Sequence, residues 1–232
     1  LSESLVDFMV RVGAKVHPGI VNPVWLAPVV SALENREPSK VVISTPPQHG
    51  KTRTIIYGLL WRMIRDPGRY AYVTYEQGRS DEISLEAQTI MREAGYEPEG
   101  RLDRWRAAGS TIRFGSVRGP LTGYGIDKLL VIDDPVKDAV DASSPTMRRR
   151  NVEWLQTVGG PRTHPSASIV IVQTRWHPED LAGNRIAAGW RDINLPAIND
   201  RGAALWPAGR PLASLEEQRR EFGEFFFAPL VQ

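Results

Sequence analysis

The chain has 232 residues, enough for one large domain or two small ones with a sizeable core. Hydrophobic residues make up 41% and charged residues 24%, which excludes disordered and fibrous classes; the absence of cysteine excludes a disulfide scaffold, a thiolate metal site and a cysteine nucleophile. Net charge is only +2, yet 24 of the 29 basic residues are Arg and 5 are Lys, a skew toward the side chain that grips phosphate bidentately. Codon bias in a GC-rich genome accounts for that skew at least as well.

No apolar run approaches the length of a membrane span. The first residues mix Glu3, Asp7 and Arg11 into an apolar stretch, without the pattern of a signal peptide. The chain opens on Leu1 rather than Met, which suggests a piece excised from a longer protein, and a soluble, reducing, cytoplasmic setting is expected.

Apolar residues from Leu1 to Val16 recur at helical spacing, and a Pro-punctuated stretch then leads to a second helix around Trp25 to Asn35. Lys40 to Thr45 is a β-branched run stopped by Pro46-Pro47, which predicts a buried strand. Thr52 to Arg65 reads as a helix ended by Asp66-Pro-Gly68, Tyr70 to Tyr75 as a strand, and Ser80 to Ala94 as a helix. Two strands, Ser110 to Phe114 and Lys128 to Ile132, flank a Gly-rich loop. Then come a helix over Pro145 to Val158, a strand over Ser168 to Gln173, a helix over Glu179 to Ala188 and a last strand over Arg191 to Leu195. Strands alternating with helices predict an α/β fold with a mainly parallel sheet. The character changes after Pro196, where residues 197–232 read as a small subdomain or linker carrying a polar helix near Leu215 to Phe222. Residues 1–196 form the main domain.

Three segments carry chemistry. Thr45-Pro-Pro-Gln-His-Gly-Lys-Thr52 lies between a predicted strand and a predicted helix, where backbone N–H groups at a helix N-terminus face phosphates. Pro47, Gln48, His49, Gly50, Lys51, Thr52 and Arg53 are the candidate nucleotide-binding residues, Lys51 reaching the phosphates and Thr52 placing its hydroxyl on Mg²⁺. The pattern G-x4-G-K-[ST] is met at its end, but Thr45 stands where its first Gly belongs. Leu129-Leu-Val-Ile-Asp-Asp-Pro135 is a buried strand delivering two carboxylates at its C-terminal end, where open α/β sheets bind ligands. Asp133 is the candidate metal residue, and Asp134 the candidate for orienting the attacking water. In Ile169-Val-Ile-Val-Gln-Thr-Arg-Trp-His-Pro-Glu-Asp-Leu181, Gln173 or Thr174 is placed to sense the γ-phosphate, while His177 reads equally well as a helix cap.

These three segments, in this order, resemble the ATPase half of tailed-bacteriophage large terminase subunits. The segments Leu195-Pro-Ala-Ile198, Ala204-Leu-Trp-Pro207 and Phe225-Phe-Phe-Ala-Pro-Leu230 resemble the stretch that joins this ATPase to the family's nuclease. The resemblance implies a P-loop NTPase fold of the ASCE/RecA-like kind, with ATP and Mg²⁺ as ligands. It also implies packaging of double-stranded DNA into a procapsid by a homo-oligomeric ring on the portal protein, with a small terminase subunit as a further partner. The setting would be the host cytoplasm, with no membrane partner and with a monomer in isolation. It implies Gly50, Lys51 and Thr52 for phosphate and Mg²⁺, Asp133 and Asp134 for the carboxylate motif, and Thr174 for coupling. The chain stops before the nuclease would begin. Asp134 stands where many relatives place Glu.

A ring motor completes its site with an Arg from a neighbouring subunit. Arg118, in the Gly-rich loop from Gly115 to Gly125, is the candidate, with Arg53 acting within the subunit and Arg148, Arg149, Arg150 and Arg162 as alternatives. Asn22, Pro23 and Trp25 read either as an adenine pocket or, for Trp25, as core packing. DNA contact would be to backbone phosphates and salt-sensitive. Two rival readings stand beside the motor: a RecA-like helicase or other remodelling ATPase, and a non-catalytic nucleotide-binding scaffold module.

Overall fold

Strands as uniformly apolar as Val41-Val-Ile43 or Ile169-Val-Ile-Val172 need cover on both faces of a sheet, and the fold supplies it with helices on either side. The computed structural model describes residues 3–17, 22–121 and 123–231; the ends of the first predicted helix and of the tail, part of the Pro-punctuated stretch, and Thr122 of the Gly-rich loop lie outside them. The strands are β1 (Lys40–Ser44), β2 (Arg69–Thr74), β3 (Glu99–Arg101), β4 (Arg104–Ala107), β5 (Ser110–Ser116), β6 (Leu129–Asp133), β7 (Ser168–Gln173) and β8 (Arg191–Asn194). They form one sheet in the order β3-β4-β5-β2-β6-β7-β1-β8. The six strands from β5 to β8 run parallel, and β3 and β4 add an antiparallel edge. This is the α/β architecture with a mainly parallel sheet that the sequence predicts.

The helices are α1 (Leu5–Val16), α2 (Ala27–Glu34), α3 (Lys51–Arg65), α4 (Gln77–Glu93), α5 (Ala139–Ser143), α6 (Pro145–Trp154), α7 (Gly160–Arg162), α8 (Leu181–Ala187) and α9 (Leu212–Val231). Strand residues alternate between two cores. Val41, Ile43, Tyr72, Val131 and Val172 pack with α1 to α4, whereas Val42, Val73, Ile132 and Ile171 pack with Trp154, Leu155, Leu181 and Leu121 on the other face. That alternation fixes which side chain at each strand end faces α3 and the site. Its period of two means that one residue's shift along a strand changes the face.

Four elements depart from expectation. The β3–β4 hairpin reads poorly in sequence because Arg and Glu dominate it; only Trp105 and Ala107 of β4 are buried, and pairing with β5 makes it a strand. The helix expected over Pro145 to Val158 is α-helical to Trp154 and widens into a π turn over Leu155–Gly159. α8 begins at Leu181 because Asp180 accepts a hydrogen bond from the Gly183 N–H at 2.8 Å and caps it. α9 runs well beyond the expected Leu215 to Phe222 and breaks at Gly223, whose φ of 76° lies in the left-handed region. Past β8, Ala197, Ile198, Ala204 and Leu215 form a small apolar cluster separate from the two main cores.

Candidate active site

β1, β7, β6 and β2 end side by side, so the chemistry-bearing residues that follow them meet at one edge of the sheet. The loop after β1 turns into α3 through Gln48 at φ 61° and Gly50 at φ 84°. A Cβ on Gly50 would meet no atom within 4 Å, so glycine serves the left-handed backbone here and not a close approach. Lys51 is the first residue of α3, and its side chain is buried.

The Lys51 ammonium donates to Asp134 Oδ1 at 2.9 Å and to Thr174 Oγ1 at 2.8 Å. The Thr174 backbone N–H donates to the same Asp134 oxygen at 3.2 Å. Lys51 at the start of α3, Asp134 after β6 and Thr174 after β7 therefore close a triangle of hydrogen bonds. Asp134 holds φ 43°, uncommon for a non-glycine residue, and its N–H bonds to the Val172 carbonyl at 2.7 Å, which anchors the strained turn to β7.

Asp133 points toward α3. Its Oδ2 accepts a short hydrogen bond from the Tyr72 hydroxyl, and its Oδ1 is buried with no protein partner. Burial raises its pKa to about 6, with the Asp134 charge pushing the same way and Lys51, Tyr72 and Thr52 opposing. Burial and the carboxylate likewise raise the Tyr72 hydroxyl well above its ordinary value. An orphan carboxylate oxygen beside the Thr52 hydroxyl is what a hard divalent cation requires, so Thr52 and Asp133 fit Mg²⁺.

A cavity of about 560 Å³ opens over this edge. Pro47, Gln48, Gly50, Lys51, Thr52, Arg53, Asp133, Asp134 and Thr174 all line it, so the structure brings together most residues singled out in the sequence. Sequence reasoning missed Tyr72 and the cavity wall of Tyr75, Arg79, Glu86 and Lys137, while Trp176 of the third segment lines the cavity too. Tyr72 was accessible to the period-two rule, since it sits two residues before the end of a strand neighbouring β6. Arg79 and Glu86 lie on α4 and come to the site only through its packing.

Other candidates sit elsewhere. Gln173 pairs in register with Ser44, and its buried amide faces the opposite side of the sheet from Lys51 with neither atom partnered. Of the two coupling candidates, Thr174 alone reaches the triangle. The His49 side chain turns out of the cavity and bonds through Nδ1 to the Pro47 carbonyl at 2.9 Å. Arg118 is half-exposed and pairs with Asp141 at 2.7 Å, and it does not line its own chain's cavity. Trp25 stacks on Trp206 and is packed rather than open to a base. His177 Nδ1 accepts from the Glu179 N–H at 3.0 Å just ahead of α8, a local turn role. Arg148 is buried and bonds the Ala142 and Ser143 carbonyls.

Among the described residues, no helix is long and apolar enough to cross a membrane. No family model matches the chain, and no curated protein matches its sequence. Solved structures do match. The large terminase ATPase domain of Thermus phage P74-26 superposes with a TM-score of 0.57 over 94% of this chain and 95% of that one, at 12% identity. An arginine-to-alanine mutant of the same domain gives a TM-score of 0.51 over 83% and 87%, at 11% identity. At such identities the likeness speaks for the fold, and the chain has the fold of a phage large terminase ATPase domain.

Proposed function

We propose that the chain is an Mg²⁺-dependent ATPase, the motor domain of a large terminase that drives double-stranded DNA into a procapsid. The observation that carries this reading is the Lys51–Asp134–Thr174 triangle beside the orphan oxygen of Asp133. Lysine on a phosphate loop, a buried acid, a second acid and a hydroxyl from the next strand are the parts that phosphoryl transfer to water needs. The terminase assignment draws on the three sequence segments and on the fold shared with the phage ATPase domain.

In this mechanism Lys51 exchanges Asp134 for the oxygens of the terminal phosphates. Mg²⁺, held by Thr52 and Asp133, neutralises phosphate charge when bound. Asp134, released from the lysine, accepts a hydrogen bond from a water and aligns it for attack on the γ-phosphorus, with ADP as the leaving group. Thr174 loses its lysine partner at the same moment, which ties its position to the occupancy of the site. Arg118, from a neighbouring subunit, is the proposed charge stabiliser in an assembled ring on the portal, with the small terminase subunit as partner. DNA is held through its backbone, the setting is the host cytoplasm, and residues 197–232 lead toward a nuclease domain in the full protein.

The test is phosphate release by the purified chain with Mg²⁺, ATP and duplex DNA. Release that depends on Lys51 and is stimulated by duplex supports the motor. Release coupled to strand separation would move the protein to the remodelling ATPases, and binding of an ATP analogue without any phosphate release would leave a non-catalytic nucleotide-binding scaffold module.

A further inference from the structure

β8 lies beside β1 and runs parallel to it, so the chain that leaves β8 emerges next to the loop that leaves β1. The two stay in contact: the Leu195 N–H donates to the Ser44 carbonyl at 2.9 Å, one residue before the loop begins. Eleven residues on, the C-terminal segment returns to that loop through an aromatic stack. The Trp206 indole lies on Trp25 with ring centroids 4.3 Å apart and planes 10° from parallel. Trp25 in turn donates its Nε1–H to the His49 carbonyl at 2.9 Å, and the His49 ring stands edge-on to Trp206 at 6.3 Å.

Trp206 is half-buried in this arrangement. Gly209 packs against the ring so closely that a Cβ there would lie 2.3 Å from it, and the Arg210 N–H closes the turn on the Trp206 carbonyl at 2.7 Å. The two indoles fill this stack with each other, which marks it as a brace for the loop. What it braces is the loop's backbone: the His49 carbonyl and the His49 ring lie between Gln48 and Gly50, the two positive-φ residues that shape the turn into α3. Because the Pro47 carbonyl can only accept, His49 Nδ1 carries the proton of that bond, so the ring also closes the loop on itself.

We infer that Trp206 is a positioning residue for the phosphate-binding loop, acting through Trp25 and His49, so that nucleotide binding and docking of the segment around Trp206 stabilise one another. The inference rests on the nucleotide-binding reading of the site. Its content is a reciprocal coupling between the loop and the segment that leads into α9, since two events that stabilise one arrangement must each favour the other. Arrival or loss of nucleotide is thereby transmitted out of the site along the C-terminal segment.

Hydrogen exchange and nucleotide titration on the full chain test it. In the wild type, Mg²⁺ with a slowly hydrolysed ATP analogue slows exchange of the amides of 205–210 along with those of the loop. Trp206→Ala weakens analogue binding about 10-fold, within the usual range of coupling between sites, while kcat at saturation changes little. It also speeds exchange of the loop amides 48–51 without any nucleotide. Trp206→Phe, which restores a stacking ring, recovers binding. Gly209→Val, which displaces the indole from its seat, reproduces the alanine effect by a separate route if Trp206→Ala proves poorly folded. Wild-type affinity and unchanged loop exchange in both disrupting variants would overturn the inference. A wild-type chain that binds no nucleotide would overturn the ATPase reading instead, and the ligand-free exchange of the loop would still decide the role of Trp206.

Discussion

Lys51 and Asp134 stand 83 residues apart in sequence and are joined by a hydrogen bond of 2.9 Å. The lysine side chain is 8% exposed and the carboxylate 41%, so the pair sits at the floor of an open cavity with the acid on the solvent side. Under the proposed function this geometry makes the acid a placeholder for phosphate. In the proposed mechanism nucleotide binding would replace one anion with another, and the displaced carboxylate would then be free to act on water.

Lys51→Ala should lower Mg²⁺-ATP turnover by at least about 100-fold, the scale of losing one preorganised charge on a phosphoryl group. Folding should survive, because Asp134 is open enough to be hydrated when its partner goes. Steady-state phosphate release and a thermal melt check both parts. Turnover persisting in this variant would remove the loop from the mechanism.

Asp134→Asn should separate binding from chemistry. The amide keeps the shape but loses the basic oxygen, so hydrolysis falls by roughly 10² to 10⁴, the range for a positioned general base. Nucleotide affinity should hold or rise, since Lys51 no longer has a carboxylate to leave. Calorimetric titration with an ATP analogue, set beside single-turnover hydrolysis, reads the two effects apart.

Thr174→Val preserves volume and the backbone N–H to Asp134 but removes the hydroxyl that accepts from Lys51. A hydrogen bond to a charged group contributes about 1.5–3 kcal/mol, so the ligand-free triangle should loosen measurably. Nucleotide binding should persist while stimulation of hydrolysis by duplex DNA is lost. Equal stimulation in variant and wild type would take Thr174 out of the coupling role.

Asp133 gives the site a pH signature without metal. Its carboxyl titrates at about 6 in the folded chain, above the ordinary 3.8, because burial and Asp134 oppose the charge. A raised carboxyl pKa favours folding at low pH, and that advantage disappears as pH climbs through about 6, a loss of up to about 3 kcal/mol. In chelator, stability should therefore fall across this window from this group, and Asp133→Asn should flatten the fall. Added Mg²⁺ should stabilise the wild type most above the window, where the ionised carboxylate is ready to hold it. Denaturant melts at several pH values settle it; a variant with the wild-type profile would discard the assignment.

The sequence by itself determined the parallel strands and the residues at their ends, because both are written locally. A β-branched run ended by Pro46-Pro47, or one ended by Asp133-Asp134, states its own type and the place of its polar residues. The proposed phosphate-loop chemistry is equally local, since Gly50 caps α3 and Lys51 and Thr52 lie in its first turn. The tertiary structure decided everything that depends on which strands are neighbours. It chose Thr174 over Gln173, because successive residues face opposite sides of a sheet and only one side carries α3. It brought Tyr72 to Asp133 and Arg79 to the cavity wall, made strands of the charged residues in β3 and β4, and set Trp206 against the loop by laying β8 beside β1. Such contacts join residues far apart in the chain, and only the packed sheet brings them together.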